Sequence, residues 1–339
     1  MEIKRVAIDT SKHVFTLHGV DERDHPVMRR EVKRTQVEPF FSKLEPTEVV
    51  LEACGGSHYW GRMLAAMGHR VRLIPPQYVK PFVKRGKNDR NDAEAISEAA
   101  ARPSMRSVPV KSADAQAEAM ALSVRELLVK QRTQLINALR GHACEFGLIS
   151  AKGTANAGKL VERVEADATL PAAAREMSIV LGREIARLDE TLHDIDRKLA
   201  VQHKANPVSQ LLVEVPGIGP IGALTLALTV DATQFKSGRH FAAWIGLTPK
   251  DKSTGGKQRL GGISREGNER LRQLLVLGAT SVIKVAKPGS KHATPWLSGL
   301  LERRPRMVAA VALANKMARI VWAMMTSGEA YRPAPVAAG

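Results

Sequence analysis

Short apolar runs alternate with polar turns along the N-terminal part of the chain. Residues 3–9 and 14–20 predict two strands joined by a short polar turn, and residues 27–33 predict a third strand of the same meander. An apolar run over residues 47–53 has the length of a buried strand, and residues 70–74 predict a strand that ends at two consecutive prolines. The pattern therefore predicts a sheet built early in the chain.

Helical segments separate the later strands. Residues 36–44 and 57–67 have helical patterns, and the Ala- and Glu-rich residues 88–102 predict a helix that stops before Pro103. A meander followed by alternating strands and helices predicts a mixed sheet with helices on its faces. This order is typical of an RNase-H-like fold, although several other α/β folds share it.

No strand pattern is present between residues 113 and 203. Residues 114–146 predict one long helix, and a second helix carries an apolar heptad seam at Leu181, Ile185, Leu188, Leu192, Ile195 and Leu199. The segment SAKGTANAGK between them is rich in Gly and Ala and predicts a loop, so the pair reads as a helical hairpin or coiled-coil arm. The seam can pack within one chain or against a second copy, and the sequence leaves both open.

A second compact region follows the break at Asn206-Pro207. Two apolar segments flank the turn VPGIGPIGA, and residues 266–286 and 305–326 predict further helices. We therefore expect an α/β plus α chain in three parts: an α/β domain over residues 1–105, a helical hairpin over residues 106–206 and a mainly α-helical domain over residues 207–330.

Charge gives the first indication of function. The chain has 51 Lys and Arg against 34 Asp and Glu, a formal net charge of +17. An excess of this size is expected of a protein that neutralises phosphates and releases their counterions, so we expect double-stranded DNA or another nucleic acid as a partner. Simple solubility does not require so much charge of one sign.

Composition also narrows the compartment. No apolar run approaches the length of a membrane span, and acidic residues near the start of MEIKRVAIDT argue against a secretory signal, so we expect no membrane partner. Cys54 and Cys144 cannot form a disulfide framework and lack the spacing of zinc ligands. We expect a soluble protein in the reducing cytoplasm.

Two acids end apolar strands. Asp9 follows VAI, and Glu52 follows VVL, so each carboxylate lies at the end of a buried run. A carboxylate in such a place is costly unless something pairs with it. Each acid alone is explained by a capping or turn role, but two of them on neighbouring strands would repel unless a cation lies between them.

A second pair of acids lies in KNDRNDAEAI. Asp89 and Asp92 are three residues apart and would share one face of a helix, although an acid pair at this spacing is also a good helix start. Cations surround the pair at Lys80, Lys84, Arg85, Lys87 and Arg90. Oxygen ligands without His or Cys favour Mg²⁺ or Mn²⁺, and two such ions can assist a phosphoryl displacement.

Two further segments suit phosphate contacts. Gly217 and Gly219 in PGIGPIGAL resemble a helix-hairpin-helix turn whose N–H groups can bind a phosphate, although a packing turn also fits. The later segment crowds cations around glycines and the hydroxyls of Ser253, Thr254 and Ser264; its cations are Lys250, Lys252, Lys257, Arg259, Arg265, Arg270 and Arg272. A hydroxyl in such a segment can be a nucleophile or a hydrogen-bond donor to phosphate, and the chemistry leaves both open.

The ordered motifs resemble a known family. AIDTSK, LEACGG, KNDRNDAEAI, VPGIGPIGA and GLTPKDKSTGGKQRLGGISREGN follow one another as in the DEDD transposases of bacterial insertion sequences, also called bridge recombinases, to which the Piv-type DNA invertases are related. The match covers nearly the whole chain. It implies a RuvC-like domain of RNase H fold, a coiled-coil hairpin and a C-terminal transposase domain with a helix-hairpin-helix-like turn.

The resemblance also implies roles for individual residues. It places a metal-binding catalytic tetrad at Asp9, Glu52, Asp89 and Asp92, and a catalytic serine at Ser253, with Thr254 as the alternative one position later. It implies a composite site in a dimer or tetramer, in which acids of one subunit act with the serine of another, and a structured bridge RNA that pairs with donor and target DNA. The residues expected to contact nucleic acid are Lys84, Arg85, Lys87, Arg90, Gly217, Gly219, Lys252, Thr254, Lys257, Arg259 and Arg265.

Two other functions use the same residues. A junction resolvase or RNase-H-like nuclease would need the acids and an activated water but not the serine. A non-enzymatic architectural binder would use the acids as helix caps and the basic segment to hold DNA.

Overall fold

The computed structural model describes residues 2–84, 89–257, 259–287, 290 and 292–333. The chain divides into two compact units, Met1–Ala117 and Glu118–Gly339. The second unit contains most of the predicted helical hairpin together with the predicted C-terminal domain, and the division into three parts stays a prediction. Two predicted phosphate contacts, Arg85 and Lys87, lie outside the described residues.

The first unit is built on a five-stranded mixed sheet. Its strands are β1 (Arg5–Asp9), β2 (Val14–Val20), β3 (Pro26–Lys33), β4 (Glu48–Glu52) and β5 (Arg70–Ile74). The strand order is β3-β2-β1-β4-β5. β2 is antiparallel to both β1 and β3, whereas β4 is parallel to both β1 and β5. The five strands predicted from the apolar runs are confirmed.

Helices cover both faces of this sheet. They are α1 (Val37–Phe41), α2 (Ser57–Ala66), the short α3 (Pro76–Val79) and α4 (Asp89–Ala101). One face buries the side chains of Val6, Ile8, Phe15, Leu17 and Leu51 together with Phe41 of α1 and Leu64 of α2. The other face packs Ala7, Val50 and Ile74 against Ala95, Ile96 and Ala99 of α4. Small side chains on α4 bring this helix close to the strands.

A buried ion pair fixes α4 at the amino ends of β1 and β4. Arg5 Nε donates to Glu48 Oε2 at 2.8 Å, and Arg72 Nη1 donates to Glu48 Oε1 at 3.1 Å. Arg5 Nη1 also reaches the carbonyl oxygen of Ser97 in α4 at 3.5 Å. Burial alone would raise the pKa of Glu48, but the hydrogen bonds from Arg5 and Arg72 outweigh it and hold that pKa below its usual value. Glu48 therefore stays ionised, and the network ties α4 to the sheet.

Three helices follow, α5 (Ala113–Cys144), α6 (Asn156–Ala166) and α7 (Ala172–Ala205). The two long helices confirm the predicted pair. The prediction of a loop across SAKGTANAGK is wrong in its second half, because α6 begins at Asn156 and buries Leu160 and Val164 against Ile185 of α7. Gly182 permits this approach, since a Cβ there would lie 2.8 Å from the Val161 side chain.

The heptad seam of α7 is buried within the same chain. Leu199 packs with Leu122 of α5, and the ion pairs Arg125–Asp196 and Arg132–Asp189 join the two long helices. Of the two arrangements that the sequence left open, the structure shows the intramolecular hairpin. The prediction of a dimer or tetramer stays a prediction.

The remainder of the second unit is mainly helical. Its elements are α8 (Pro207–Leu212), α9 (Pro220–Thr229), α10 (Gly238–Trp244), β6 (Pro249–Asp251), β7 (Leu260–Ile263), α11 (Glu269–Val285), α12 (Pro295–Arg303) and α13 (Arg306–Ser327). By length and composition α13 is apolar enough to cross a membrane, but Ala310, Ala314, Ala318 and Val321 are buried in the core of this unit. The helix therefore has the burial of a core helix.

Candidate active site

Two carboxylates lie at the carboxyl ends of the two central strands. Asp9 ends β1 and Glu52 ends β4, and these strands are parallel neighbours with Ile8 opposite Leu51. Side chains alternate along a strand, and Ala7 and Val50 face α4. Asp9 and Glu52, each two residues further on, therefore project to the same side of the sheet as α4.

The first turn of α4 brings two more acids to this edge. Asp89 and Asp92 lie three residues apart in that turn. Carboxylate oxygens of Asp9, Asp89 and Asp92 all lie within 4.8 Å of one another. Glu52 is outside this close group, although its charge and those of the other acids influence one another. The structure thus brings together three of the four predicted tetrad residues, with the fourth beside them.

The acids repel one another. Burial and, after it, the charges of Asp92, Asp89 and Glu52 together raise the pKa of Asp9 to about 6. Burial and the charge of Asp92 likewise raise the pKa of Glu52. A helix-capping role does not explain Asp9 and Glu52, because these half-buried carboxylates lie at the ends of strands. Clustered oxygen donors fit a hard divalent cation, which would relieve this repulsion.

Two of the predicted phosphate contacts near the acids are already paired with carboxylates of the same unit. Lys84 Nζ lies 2.5 Å from Glu94 Oε1, and Arg90 Nη2 lies 3.5 Å from Glu31 Oε1. The side chains of Lys84 and Arg90 remain 59% and 75% exposed, so both stay within reach of a phosphate. Such exposed pairs are weak and exchange readily.

The predicted serine lies in a two-stranded hairpin formed by β6 and β7. Ser253 lies two residues beyond the end of β6. Its hydroxyl donates to Asp251 Oδ1 and accepts from the N–H of Arg259 at 3.0 Å. The Ser253 N–H also donates to Asp251 Oδ1 at 2.8 Å. Within the described part of the chain, the Thr254 hydroxyl makes no hydrogen bond. The structure therefore orders one of the two adjacent hydroxyls.

Cations on this hairpin are exposed. Lys250, Lys252, Lys257 and Arg259 all project from it to solvent, and Arg265 follows β7 in an exposed turn. Two other cations of the same segment have structural roles: Arg270 pairs with Glu126 of α5, and Arg272 donates to the carbonyl oxygens of Ile245 and Glu266 at 2.8 Å each. The exposed hairpin cations are thus the ones free to meet phosphate.

The glycine-rich turn between α8 and α9 is closely packed at one position. Gly217 has φ +90°, and a Cβ there would lie 2.7 Å from the carbonyl oxygen of Gly278 in α11. Gly219 immediately precedes α9, and a Cβ on it would meet nothing within 4 Å. Packing therefore accounts for glycine at 217, whereas 219 is open to a ligand.

Sequence reasoning did not single out Asp251. The available signal is its charge, because it is the one acid in PKDKSTGGKQR, a segment otherwise rich in cations. Its contact with Ser253 depends on the turn that the hairpin forms.

Known proteins resemble this chain along nearly its whole length. A DEDD transposase model of the IS110 type matches residues 6–146, and a model described as the transposase IS116/IS110/IS902 family matches residues 209–294. A Sinorhizobium fredii relative that carries the transposase name y4pF/y4sB is 53% identical over 98% of this chain and 87% of its own length. The transposase for insertion sequence element IS1111A of Coxiella burnetii is 42% identical over 98% of this chain and 92% of its own length. The transposase for IS1328 of Yersinia enterocolitica is 36% identical over 96% of this chain and 98% of its own length.

The chain has a mixed sheet with an acid cluster, followed by a helical unit with a basic hairpin. Together with these matches, this arrangement defines the class of the protein, which is that of the enzymes that process DNA. The chain belongs to the IS110/IS116 family of insertion-sequence transposases.

Proposed function

We propose that this chain cuts double-stranded DNA and rejoins it at a new site, with acids in one unit and a serine in the other. The close group of Asp9, Asp89 and Asp92 carries the proposal, because such a cluster has a clear use in phosphoryl transfer. Its place at the ends of neighbouring strands supports a RuvC-like domain of RNase H fold. The relatives named as transposases of insertion sequences support strand exchange as the outcome.

The acids act as a cation site. Asp9, Asp89 and Asp92, together with Glu52, would hold Mg²⁺ or Mn²⁺ through carboxylate oxygens. A bound divalent cation supplies positive charge at the phosphodiester and stabilises the oxygens that gain negative charge. Asp9 and Glu52 are fixed by strands and Asp89 and Asp92 by a helix, so little reorganisation is needed when a cation binds. The raised pKa values of Asp9 and Glu52 fall when positive charge arrives beside them.

Ser253 acts as the nucleophile. Its Oγ would form a bond to phosphorus while the bond from phosphorus to one sugar oxygen breaks. The proton of the Ser253 hydroxyl would pass to solvent, and the released sugar oxygen would take up one proton from solvent, so that the step balances. Exposed cations at Lys252, Lys257 and Arg259 would meet the phosphate oxygens. The hydrogen bonds that hold the Ser253 hydroxyl favour this position over Thr254.

We propose nucleic acid both as the substrate, which is DNA, and as the guide, which is RNA. A net charge of +17 supports extensive phosphate contact, and aromatic residues form only 4% of the chain, which leaves little surface for base stacking. Sequence choice would then come from base pairing by a structured bridge RNA. The enzyme would act in the cytoplasm as a dimer or tetramer.

One observation favours a second candidate. The three close carboxylates lie within the first unit and form a cation site without any serine. A junction resolvase or nuclease that uses activated water would need no more than this site. It would release free DNA ends and never link DNA to protein.

A denaturing gel separates the two candidates. The full chain would be incubated with Mg²⁺ and a plasmid that carries its coding gene with the natural flanking DNA and their transcript. We expect a protein-linked DNA species in the wild type and in Thr254→Ala, and none in Ser253→Ala or Asp9→Asn. Cleavage without any linked species would support the nuclease, and a linked species in Ser253→Ala would contradict the serine assignment.

A further inference from the structure

We infer that Asp251 is a positioning residue for Ser253, whose negative charge holds the serine proton and directs a free lone pair outward. This inference rests on the proposed function, in which Ser253 is the nucleophile. It concerns a carboxylate in the second unit that takes no part in the acid cluster of the first.

The hydrogen bonds of the hydroxyl fix its orientation. A serine hydroxyl has one proton to donate and two lone pairs to accept with. The proton of Ser253 goes to Asp251 Oδ1, and the N–H of Arg259 occupies one lone pair at 3.0 Å. One lone pair of Ser253 Oγ therefore remains without a partner in the hairpin, and the two hydrogen bonds fix its direction. A freely rotating hydroxyl on an exposed loop would have no such preference.

The carboxylate itself is held in place. Asp251 Oδ1 accepts the Ser253 N–H at 2.8 Å, and Asp251 is paired with Leu260 across the hairpin. The next backbone bond, from the N–H of Lys252 to the carbonyl oxygen of Arg259 at 2.8 Å, closes the hairpin beside the serine. Asp251, Ser253 and Arg259 therefore form one connected unit on two strands.

Asp251 places a negative charge among the exposed cations of the hairpin. The hairpin exposes Lys250, Lys252, Lys257 and Arg259, a surface suited to phosphate, and a carboxylate within it weakens the attraction. Hydrogen bonds from the Ser253 hydroxyl and N–H lower the pKa of Asp251, so it stays ionised. An anion that receives the serine proton's hydrogen bond raises the electron density on Oγ as the proton is drawn away.

The chain offers a matched control for the turn itself. Asp231 accepts hydrogen bonds from the N–H of Thr233 at 3.1 Å and from its hydroxyl at 2.6 Å, the same local pattern at the start of a 3₁₀ turn. Within the described residues, no backbone N–H from another strand reaches the Thr233 hydroxyl, whereas Arg259 reaches Ser253. Asp231 is therefore the control for a carboxylate that makes the same two hydrogen bonds and serves only to shape the backbone turn.

Asparagine separates charge from shape. Its amide oxygen can accept the same two hydrogen bonds and keep the turn, but it carries no charge. Asp251→Asn and Asp231→Asn would be compared with wild type in the full chain. The measurements are the rate of protein–DNA adduct formation at saturating plasmid, the affinity for the same plasmid, and the melting temperature.

We expect Asp251→Asn to slow adduct formation by about 10- to 100-fold while binding the plasmid as tightly as wild type or more tightly, because one repulsive charge is removed. Asp231→Asn should leave both rate and affinity unchanged. A wild-type rate in Asp251→Asn, or a loss of rate matched by losses of affinity and melting temperature, would overturn the inference.

The outcome also distinguishes the inference from the function on which it rests. An adduct that persists in Ser253→Ala, or that is absent from the wild type, removes both. An adduct that requires Ser253 but forms at the wild-type rate in Asp251→Asn removes the role of Asp251 alone.

Discussion

The acid cluster and the serine hairpin hold the groups to which we assign the chemistry in opposite ways. The acids lie at the ends of two central strands and at the start of a helix packed on them, so the core of the first unit fixes their positions. Ser253 lies in an exposed two-stranded hairpin, where a few hydrogen bonds replace the core. A cation site needs several rigid ligands at once, whereas a nucleophile must approach a large substrate. The comparison suggests that the first site is preorganised and the second is completed by nucleic acid.

The largest expected effect tests whether the two sites depend on each other. Asp9→Asn and Ser253→Ala should each reduce strand exchange by at least about a thousand-fold, because each removes one half of the chemistry. If acids and serine from different copies act together, a mixture of the two inactive variants should recover part of the activity. Recombination products from the mixture are counted by sequencing plasmid junctions. A mixture as inactive as its components would contradict the composite site.

The next effect concerns what holds the acid cluster. Glu48→Ala leaves the buried Arg5 with Asp24 as its one remaining carboxylate partner among the described residues, so we expect a loss of about 3 kcal/mol in the free energy of unfolding. The solvent-exposed pair of Arg187 with Glu184 provides the control, and Glu184→Ala should change stability by less than about 1 kcal/mol. Urea unfolding measures both. Equal losses would show that the buried network does not anchor α4.

An effect of similar size separates packing from ligand binding in the second unit. Gly217→Ala should cost about 3 kcal/mol, because it adds a clash with Gly278 to the strain of φ +90°. Gly255→Ala on the hairpin has φ +55° but meets nothing within 4 Å, so it should cost about 1 kcal/mol. Thermal unfolding compares the two. A Gly217→Ala protein as stable as Gly255→Ala would contradict the packing role.

The smallest effect is a pH dependence of the free energy of unfolding, measured with a chelator present to remove divalent cations. The folded-state pKa of Asp9, about 6, lies above its ordinary value of 3.8, so its stabilising contribution is complete below about pH 4 and is lost as the pH rises through 6. Asp9→Asn lacks this loss. The variant should therefore gain about 1–2 kcal/mol relative to wild type between pH 4 and 7, after allowance for the partial exposure of the side chain. Urea unfolding at several pH values measures this difference, and a constant difference would contradict the repulsion among the acids.

The sequence was most informative where local pattern and global fold agree. The apolar runs that end in Asp9 and Glu52 predicted both the strands and their acids, and strand alternation places both side chains toward α4. The buried pair of Arg5 and Glu48 could not be found this way. These residues are 43 positions apart, and only the pairing of β1 with β4 brings them together.

Weak local signals account for what sequence reasoning missed. In α6, Gly158 and the neighbouring small residues hid a helix that is stabilised by packing of Leu160 and Val164 rather than by propensity. The strands β6 and β7 have three and four residues with lysine and glycine, so no alternation marks them. Without the hairpin, the contact of the Arg259 N–H with the Ser253 hydroxyl cannot be predicted.

Cation binding tests the central claim most directly. Titration of the metal-free chain with Mn²⁺, followed by the electron paramagnetic resonance signal of the free ion, measures binding without any need for DNA. We expect saturable binding in the wild type and in Asp251→Asn, and a loss of at least about ten-fold in affinity in Asp9→Asn and Asp92→Asn. Wild-type affinity in both of these last variants would contradict a cation site at the ends of β1 and β4.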